Sequence, residues 1–397
     1  MNILHVTPYY EDAWAYGGIP RLAGALCRGL ARRGHRVTVC TTDVQDQGRR
    51  LARRSNVMVR GGVRVRVFPN LSNRAAYHLQ LYTPLGMTRW LRRRAGGFHV
   101  AHLHGFHNLP GVVAARCLPG AGVPYLLAPN GTAPLIERRH TAKWIFDRTL
   151  GRRVMPGAAR LLAVTEVERR QLCSLGVEPG RVRVLPNPVD LSEYSAGVPR
   201  GRFRQRIGLD ASARVMLYLG RWSPRKRLDV VVQAAGLLAG DHPDLRLVIV
   251  GNDMGAGADL RHEVRRLGLQ QRVLLVPLLR GQERLEALGD ADVVLYPGAD
   301  EIFGLVVLEA LLCGAPVLVA DDSGAAELIH RVGGGLATAE GDPAALARGA
   351  RAVLADPAAW GRRVERAAAR VRREFGADTV CAGLEEIYAE MTCGGRA

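Results

Sequence analysis

Glu301-Ile302-Phe303-Gly304-Leu305-Val306-Val307-Leu308-Glu309 is the stretch whose reading decides the fold of this chain. Seven residues separate its two carboxylates, and an apolar run continues through Leu312 to Gly314. The spacing predicts a helix that starts near Gly304, and Ala315-Pro316-Val317-Leu318-Val319-Ala320 predicts a buried strand after it. Glu301 then stands in the loop before the helix, and Glu309 lies about one turn inside. Unbonded N–H groups and the positive dipole end at Gly304, Leu305 and Val306 suit an anion, a phosphate above all. Glu309 can accept hydrogen bonds from sugar hydroxyls while Glu301 reaches a second ring beside the phosphates, a geometry for a nucleotide sugar. An ordinary helix with one exposed and one capping Glu fits the spacing equally well, so the rest of the chain must decide.

Outward from this stretch, apolar runs and helical patterns alternate along the whole chain. Residues 215–220, 245–251, 273–278, 293–296 and 317–320 read as strands of one series. An earlier series comprises 3–7, 37–41, 63–68, 100–104, 125–128 and 161–165, and 182–190 reads as a last strand running into a proline-marked linker. This βαβ rhythm predicts an α/β protein of two doubly wound, Rossmann-like domains with parallel sheets facing an interdomain cleft. The expected division is 1–195 and 196–376, with a C-terminal helix within 377–397 that could return to the first domain.

The 397 residues are enough for two cores, and 48% hydrophobic with 23% charged residues is a globular composition. The first residues read as a strand and not as a leader, no apolar run reaches the ~18 residues that span a bilayer, and the seven cysteines show no metal spacing. A cytoplasmic protein with reduced core thiols is expected. The net charge of +18 is uneven: residues 1–200 carry 30 Lys/Arg against 11 Asp/Glu, and 201–397 carry 25 against 26. A strongly positive first half expects an anionic partner. Basic and large apolar residues interleave at 88–94 and 143–153, so a peripheral seat on the anionic cytosolic membrane face is expected, each basic residue contributing on the order of 1 kcal/mol. Packing of Trp90 and Trp144 on their own domain is the plain alternative. Nucleic acid ranks behind, since no zinc finger, helix-turn-helix or stacking sheet accompanies the charge.

With these motifs in order, the chain resembles retaining glycosyltransferases of the GT-B fold, family 4. The resemblance runs through Pro8 with Gly17-Gly18, Gly34-His35-Arg36-Val37-Thr38-Val39, and His102-Leu103-His104-Gly105. It continues through Leu185-Pro186-Asn187-Pro188-Val189-Asp190, Leu219-Gly220-Arg221-Trp222-Ser223-Pro224-Arg225-Lys226, and Glu301 to Glu309. It implies transfer of a hexose-type sugar from a nucleotide-sugar donor (UDP- or GDP-sugar) to a saccharide or lipid-linked acceptor, in polysaccharide or glycoconjugate assembly. The resemblance assigns Glu309 to the ribose, Glu301 to sugar hydroxyls, and the backbone of Phe303, Gly304, Leu305 and Val306 to sugar and phosphate. Retention by front-face attack, with the leaving phosphate helping to deprotonate the acceptor, would need no protein nucleophile.

Arg221 and Lys226 follow a second-domain strand, where a guanidinium and an ammonium can hold a departing diphosphate. A solvated basic turn is their bland reading; Arg225 and Arg227 carry no assigned role. Gly17 and Gly18 allow close backbone approach to donor phosphates or acceptor. His102 and His104 share a strand face, but no carboxylate or Cys completes a ligand set, so no metal is expected. His104, nearest the strand end, is expected to face the acceptor, with a structural role the alternative. Asn130, in Ala128-Pro129-Asn130-Gly131, occupies the place where many relatives carry a sugar-contacting His, and Asn cannot titrate. Asp290-Ala291-Asp292 matches a metal-binding pattern but precedes a strand at its non-ligand end, so it reads as structural, and no cofactor is expected. A soluble natural-product acceptor, a GT-B sugar-nucleotide epimerase and a non-catalytic basic scaffold are the rival functions.

Overall fold

Short runs of Val, Leu and Ile build two separate sheets, because β-branched and leucine side chains suit strands covered on both faces. The computed structural model describes residues 1–397 except 12, 14, 15, 52–55, 135–139, 195, 196 and 394–397. The chain divides into two units, Met1–Pro188 with Gly376–Ala397, and Val189–Phe375. The division falls after Pro188 and not after 195.

The first unit contains β1 (Asn2–Val6), β2 (Arg36–Thr42), β3 (Val57–Arg60), β4 (Val63–Phe68), β5 (Val100–His104), β6 (Tyr125–Ala128), β7 (Arg160–Ala163) and β8 (Val182–Val184). Their order is β3-β4-β2-β1-β5-β6-β7-β8. Every pairing is parallel except the β3–β4 hairpin. Gly61 and Gly62 turn that hairpin with φ of 52° and 77°, the left-handed conformations that a tight hairpin turn needs. Alternation along each strand separates two cores. Leu4, Val6, Leu103 and Leu127 pack with Met87 and Leu91 of the helix Met87–Arg94 on one face. Ile3, Val37, Val39, Val65 and Val67 pack on the other face with the helix Ile19–Arg32 and the C-terminal helix Ala377–Cys393.

That C-terminal helix is part of the first unit's core. Val380, Cys381, Leu384, Ile387, Tyr388 and Met391 are buried, a gross hydrophobic contribution on the order of 10 kcal/mol. Arg33 and His35 both reach the Glu385 carboxylate at 2.7 Å, and Arg183 reaches Glu390 at 2.9 Å.

The second unit contains β9 (Arg214–Leu219), β10 (Leu245–Val250), β11 (Val273–Val276), β12 (Val293–Tyr296), β13 (Val317–Ala320) and β14 (Gly335–Thr338), in the order β11-β10-β9-β12-β13-β14. All pairs are parallel. Asp290 accepts from the Arg204 backbone N–H, and Asp292 accepts from Val215 N–H at 2.7 Å and from the Arg204 guanidinium at 2.8 Å. The Asp-Ala-Asp triplet is therefore engaged in bracing β9 and the helix Arg202–Arg206.

β3 and β14 are strands that the sequence reading lacked. Each is four residues long at a sheet edge, too short to show a period, and β14 begins with glycine. Gly335 is needed there, since a Cβ would lie 2.3 Å from the Val317 carbonyl oxygen.

Gly29 lets the helix Ile19–Arg32 approach the C-terminal helix, because a Cβ there would meet Cys381 Sγ at 2.6 Å. Gly29→Leu is expected to lower stability by about 1–3 kcal/mol. Proteolysis should then sever the C-terminal helix well below the midpoint of global unfolding; unchanged thermal and proteolytic stability would show that this contact is slack.

Candidate functional site

After β9 the chain turns through Gly220 and Arg221, and the Tyr218 hydroxyl fixes the turn by donating to the Arg221 carbonyl at 2.9 Å. Gly220 is required beside it, since a Cβ would stand 2.8 Å from the Tyr218 hydroxyl oxygen. A short 3-10 turn, Pro224–Lys226, then points Lys226 inward. Lys226 is 7% exposed and Glu301 5%. Lys226 Nζ lies 2.5 Å from Glu301 Oε1, and the Tyr296 hydroxyl donates to Glu301 Oε2 at 2.7 Å. Lys226 also stands 5.1 Å from the centre of the Tyr296 ring. Burial lowers the Lys226 ammonium below its usual range, with the Arg221 and Arg225 charges adding to the effect and Glu301 opposing it. Burial also opposes ionisation of Glu301, but Lys226, Arg225 and the Tyr296 hydrogen bond outweigh it and hold the carboxyl below its usual range.

Arg225 was assigned no role by its sequence, and the structure corrects that: its guanidinium lies 3.9 Å from Glu301 and is largely buried. Arg227 points elsewhere, to Asp229 at 3.1 Å and Glu340 at 3.8 Å. The predicted helix begins as expected and spans Leu305–Leu312. Gly304 offers no side-chain cap, so the N–H groups of Leu305 and Val306 have no partner among the described residues. Phe303 is buried beside Phe375, ring centres 6.4 Å apart. The helix Gly324–Val332 presses its N-terminus on the same loop: Gly324 N–H donates to the Glu301 carbonyl at 2.6 Å, and a Cβ on Gly324 would collide with the Ile302 carbonyl at 1.9 Å.

Glu309 is not the open acceptor that its spacing suggested. It is 1% exposed and paired with the guanidinium of Arg284, which also reaches Glu193 at 2.7 Å. Arg284 is the residue that sequence reasoning missed; it lies 25 positions before its partner, and no motif marks it.

In the first unit, His104 does not face outward. It is 1% exposed, its ring stacks on His102 at 4.3 Å, and its Nε2 shares a 2.9 Å hydrogen bond with His5 Nδ1. The parallel register sets His5 of β1 opposite His102 of β5, which is why three imidazoles meet. Tyr388 of the C-terminal helix bonds His102 Nδ1 at 2.8 Å. Burial lowers the pKa of all three, that of His104 to about 3. The acceptor-facing expectation for His104 is corrected to a core role. Sequence reasoning saw two of the three histidines. Their ligand atoms all lie within 4.8 Å of one another, and His5 and His104 are hydrogen-bonded to each other.

Asn130 has φ of 51°, a conformation that Asn tolerates, and Gly131 follows at 76°. Its amide donates to the Ala128 carbonyl at 3.1 Å, and its Oδ1 is buried without a partner among the described residues. Glu168 holds this turn from beneath, accepting from Gly131 N–H at 2.7 Å and Val164 N–H at 2.8 Å. Burial pushes the Glu168 carboxyl up to about 7 despite those bonds. His107 ties in the neighbouring loop through the Thr132 carbonyl at 2.6 Å and Asp147 at 2.9 Å. Gly17 has φ of 96°, and Gly18 begins the helix Ile19–Arg32 without a side-chain cap.

The two basic-apolar segments differ. In the helix Met87–Arg94, Met87 and Leu91 are fully buried and Trp90 packs against Phe68 and Phe98, so its apolar side is already covered. In the helix His140–Arg148 and the residues after it, Trp144, Ile145 and Leu150 are exposed, with Arg148 4.4 Å from the Trp144 ring. No helix among the described residues is long and apolar enough to cross a membrane.

Residues 16–193 match the profile of Glycosyltransferase Family 4, and residues 199–372 match that of Glycosyl transferases group 1. The chain is 31% identical to the D-inositol 3-phosphate glycosyltransferase of Acidothermus cellulolyticus, over 94% of this chain and 86% of that protein. It is 32% identical to the protein of the same name from Kineococcus radiotolerans, over 74% of each. Among solved structures, Anabaena Alr3699/HepE in complex with UDP superposes with a TM-score of 0.73 at 19% identity, covering 98% of this chain and all of that one. Sucrose-phosphate synthase from Thermosynechococcus elongatus gives 0.75 at 21% identity, covering 99% and 100%. These likenesses establish the two-sheet GT-B fold.

Two outcomes are expected from these buried groups. Arg284→Met leaves Glu309 and Glu193 without their cation, so stability should drop by about 3–5 kcal/mol, and urea unfolding should record it. Replacing Arg284 and Glu309 together by Met and Leu should cost less than the single change. The histidine trio sets an acid limit. Above the usual imidazole value of 6.5 the folded and unfolded chains both hold it neutral. Below that, the unfolded chain gains protons that the folded one refuses until near pH 3 for His104, so stability falls as pH drops through this window, by up to about 1.4 kcal/mol per histidine per pH unit. Thermal unfolding from pH 7.5 to 5 should show that slope, flattened in His104→Asn; an equal slope in both proteins would acquit the trio.

Proposed function

The chain belongs to glycosyltransferase family 4, and from that premise we propose a retaining, metal-independent hexosyltransferase that uses a UDP- or GDP-sugar. The observation that carries this reading is the buried Lys226–Glu301–Tyr296 cluster, flanked by Arg225, beside an uncapped helix N-terminus. An ammonium desolvated against one carboxylate is a preorganised positive charge, strongest where charge grows as a diphosphate leaves. Arg221 adds a guanidinium suited to two phosphate oxygens, and the N–H groups of Leu305 and Val306 add a dipole for the same group. The bond from the anomeric carbon to the phosphate oxygen breaks while the acceptor oxygen bonds that carbon from the same face. The acceptor proton passes to the departing phosphate, so no protein base is required. Glu301 addresses sugar hydroxyls; within the first unit, Asn130 with its unpartnered Oδ1, and Gly17 and Gly18, which allow close backbone approach, are that unit's own candidate contacts. Glu309 would meet the ribose only by sharing its carboxylate with Arg284.

For the acceptor, the first reading is a saccharide on a lipid carrier, in polysaccharide or glycoconjugate assembly at the cytosolic membrane face. Exposed Trp144, Ile145 and Leu150 beside Lys143, Arg148, Arg152 and Arg153 favour a membrane seat at 143–153. A second reading, a soluble phosphorylated polyol, is favoured by the relatives that bear the name D-inositol 3-phosphate glycosyltransferase.

A panel of UDP-, GDP- and TDP-sugars tests the donor: one should raise the melting temperature, and silence from all of them would defeat the proposal. Lys226→Ala should lower turnover by about 10²–10³ and donor affinity much less, with Lys226→Arg restoring only part. Arg227→Ala should be nearly neutral while Arg225→Ala is costly. Equal losses at Arg221, Arg225, Lys226 and Arg227 would indicate a diffuse field and no specific site.

A further inference from the structure

A cavity of about 510 Å³ lies in the first unit where the β3–β4 hairpin meets the helix Met87–Arg94. Arg66, Arg89, Arg93 and Arg94 line it, with Trp90 and Phe68 among its apolar walls. No acidic residue is among the described residues that line it, and none of these four guanidiniums pairs with a carboxylate among the described residues. Arg66 is held in place from below, 5.8 Å from the Phe68 ring centre and 5.7 Å from that of Trp90, with its Nε buried and unpartnered. Stacked on these rings, its planar fork is set in advance, which suits two-point binding of a phosphoryl group.

Helix electrostatics accounts for only part of this cluster. Arg93 and Arg94 lie in the last turn, where the negative dipole end favours cations. Arg89 lies in the first turn, at the positive end, and Arg66 comes from a strand, so neither gains from the dipole. Arg89 and Arg93 are also one helical turn apart, a repulsive spacing. Gly86 leaves the helix N-terminus without a side-chain cap at the cavity wall. Four like charges with an uncapped helix start in one cavity destabilise the empty protein and are offset by an anion. The volume lies within the ~300–1,000 Å³ of small-ligand sites, so the occupant is larger than a bare ion.

We propose that this cavity is a second ligand site, separate from the Lys226–Glu301 cluster, which binds a phosphoryl group carried on a larger molecule. The proposal does not depend on the transfer reaction. The phosphoryl group can be borne by a phospholipid headgroup or by a soluble phosphorylated compound; Leu85 in the cavity wall and Leu71 and Leu81 on the same segment are exposed as a membrane seat would require.

The test uses the full chain carrying Arg221→Ala and Lys226→Ala, so that donor-site phosphate binding is removed. Into that background go Arg66→Gln with Arg89→Gln, or, as a control of equal charge, Arg170→Gln with Arg265→Gln. Calorimetric titration with inorganic pyrophosphate should show binding that weakens tenfold or more in the cavity variant and survives in the control. Without ligand, the cavity variant should melt at the same or a higher temperature, which shows that it folds. Co-sedimentation with phosphatidylcholine vesicles, with and without phosphatidylglycerol, identifies the source. Lipid binding lost in the same variant assigns the phosphoryl group to a headgroup; lipid binding unchanged with pyrophosphate binding lost assigns it to a soluble ligand. If cavity variant and control bind both probes alike, or pyrophosphate does not bind the shared background, the proposal is overturned.

Discussion

Desolvation governs the second unit. Lys226 and Glu301 are each more than nine-tenths buried, and neither would hold its charge alone in that setting. Glu301 opposes the loss of charge that burial imposes on Lys226, and Lys226, with Arg225 and the Tyr296 hydrogen bond, favours the charge on Glu301. The surrounding construction serves this pair: the Tyr218 hydroxyl sets the turn that aims Lys226, and Gly324 lets a second helix clamp the backbone of Glu301. The same logic is repeated one helical turn deeper, where Arg284 neutralises Glu309 and ties the helix Leu305–Leu312 to Glu193. Two buried carboxylates, each with its own cation, make the loop before that helix rigid and positively edged. Such a rigid loop can discriminate a developing charge from an existing one.

Much of the fold was legible because buried parallel strands write themselves as apolar runs. β12 and β13 were read to the residue, and the helix after Glu301 began where the dipole argument required. Edge strands β3 and β14 were not legible, since four residues half-open to solvent carry no period. Within the site, Lys226 and Glu301 were found by type and spacing, but their direct contact is a tertiary fact 75 residues long in sequence. Arg225 was passed over because a run of three cations gives no indication of which side chain turns inward. Arg284 was invisible because its pairing with Glu309 spans 25 positions and no motif marks it. His104 was misread because a strand end is only a direction in sequence, and the register that sets His5 beside His102 is what buries it.

The first unit is assembled from both ends of the chain, with the helix Ala377–Cys393 covering one face of the sheet that begins at Asn2. That arrangement has a consequence for biosynthesis. The second unit is continuous and can close as soon as Phe375 is made. The first cannot: after Pro188 emerges, 209 further residues must follow, about 10–40 s of translation at ~5–20 residues per second. Throughout that interval Val37, Val39 and their neighbours lack the cover of Leu384 and Tyr388. The nascent chain therefore carries an open apolar sheet face while the whole second unit is being made and until the last helix emerges, a state that favours chaperone binding and makes loss of the last seventeen helical residues a defect of the first unit's folding.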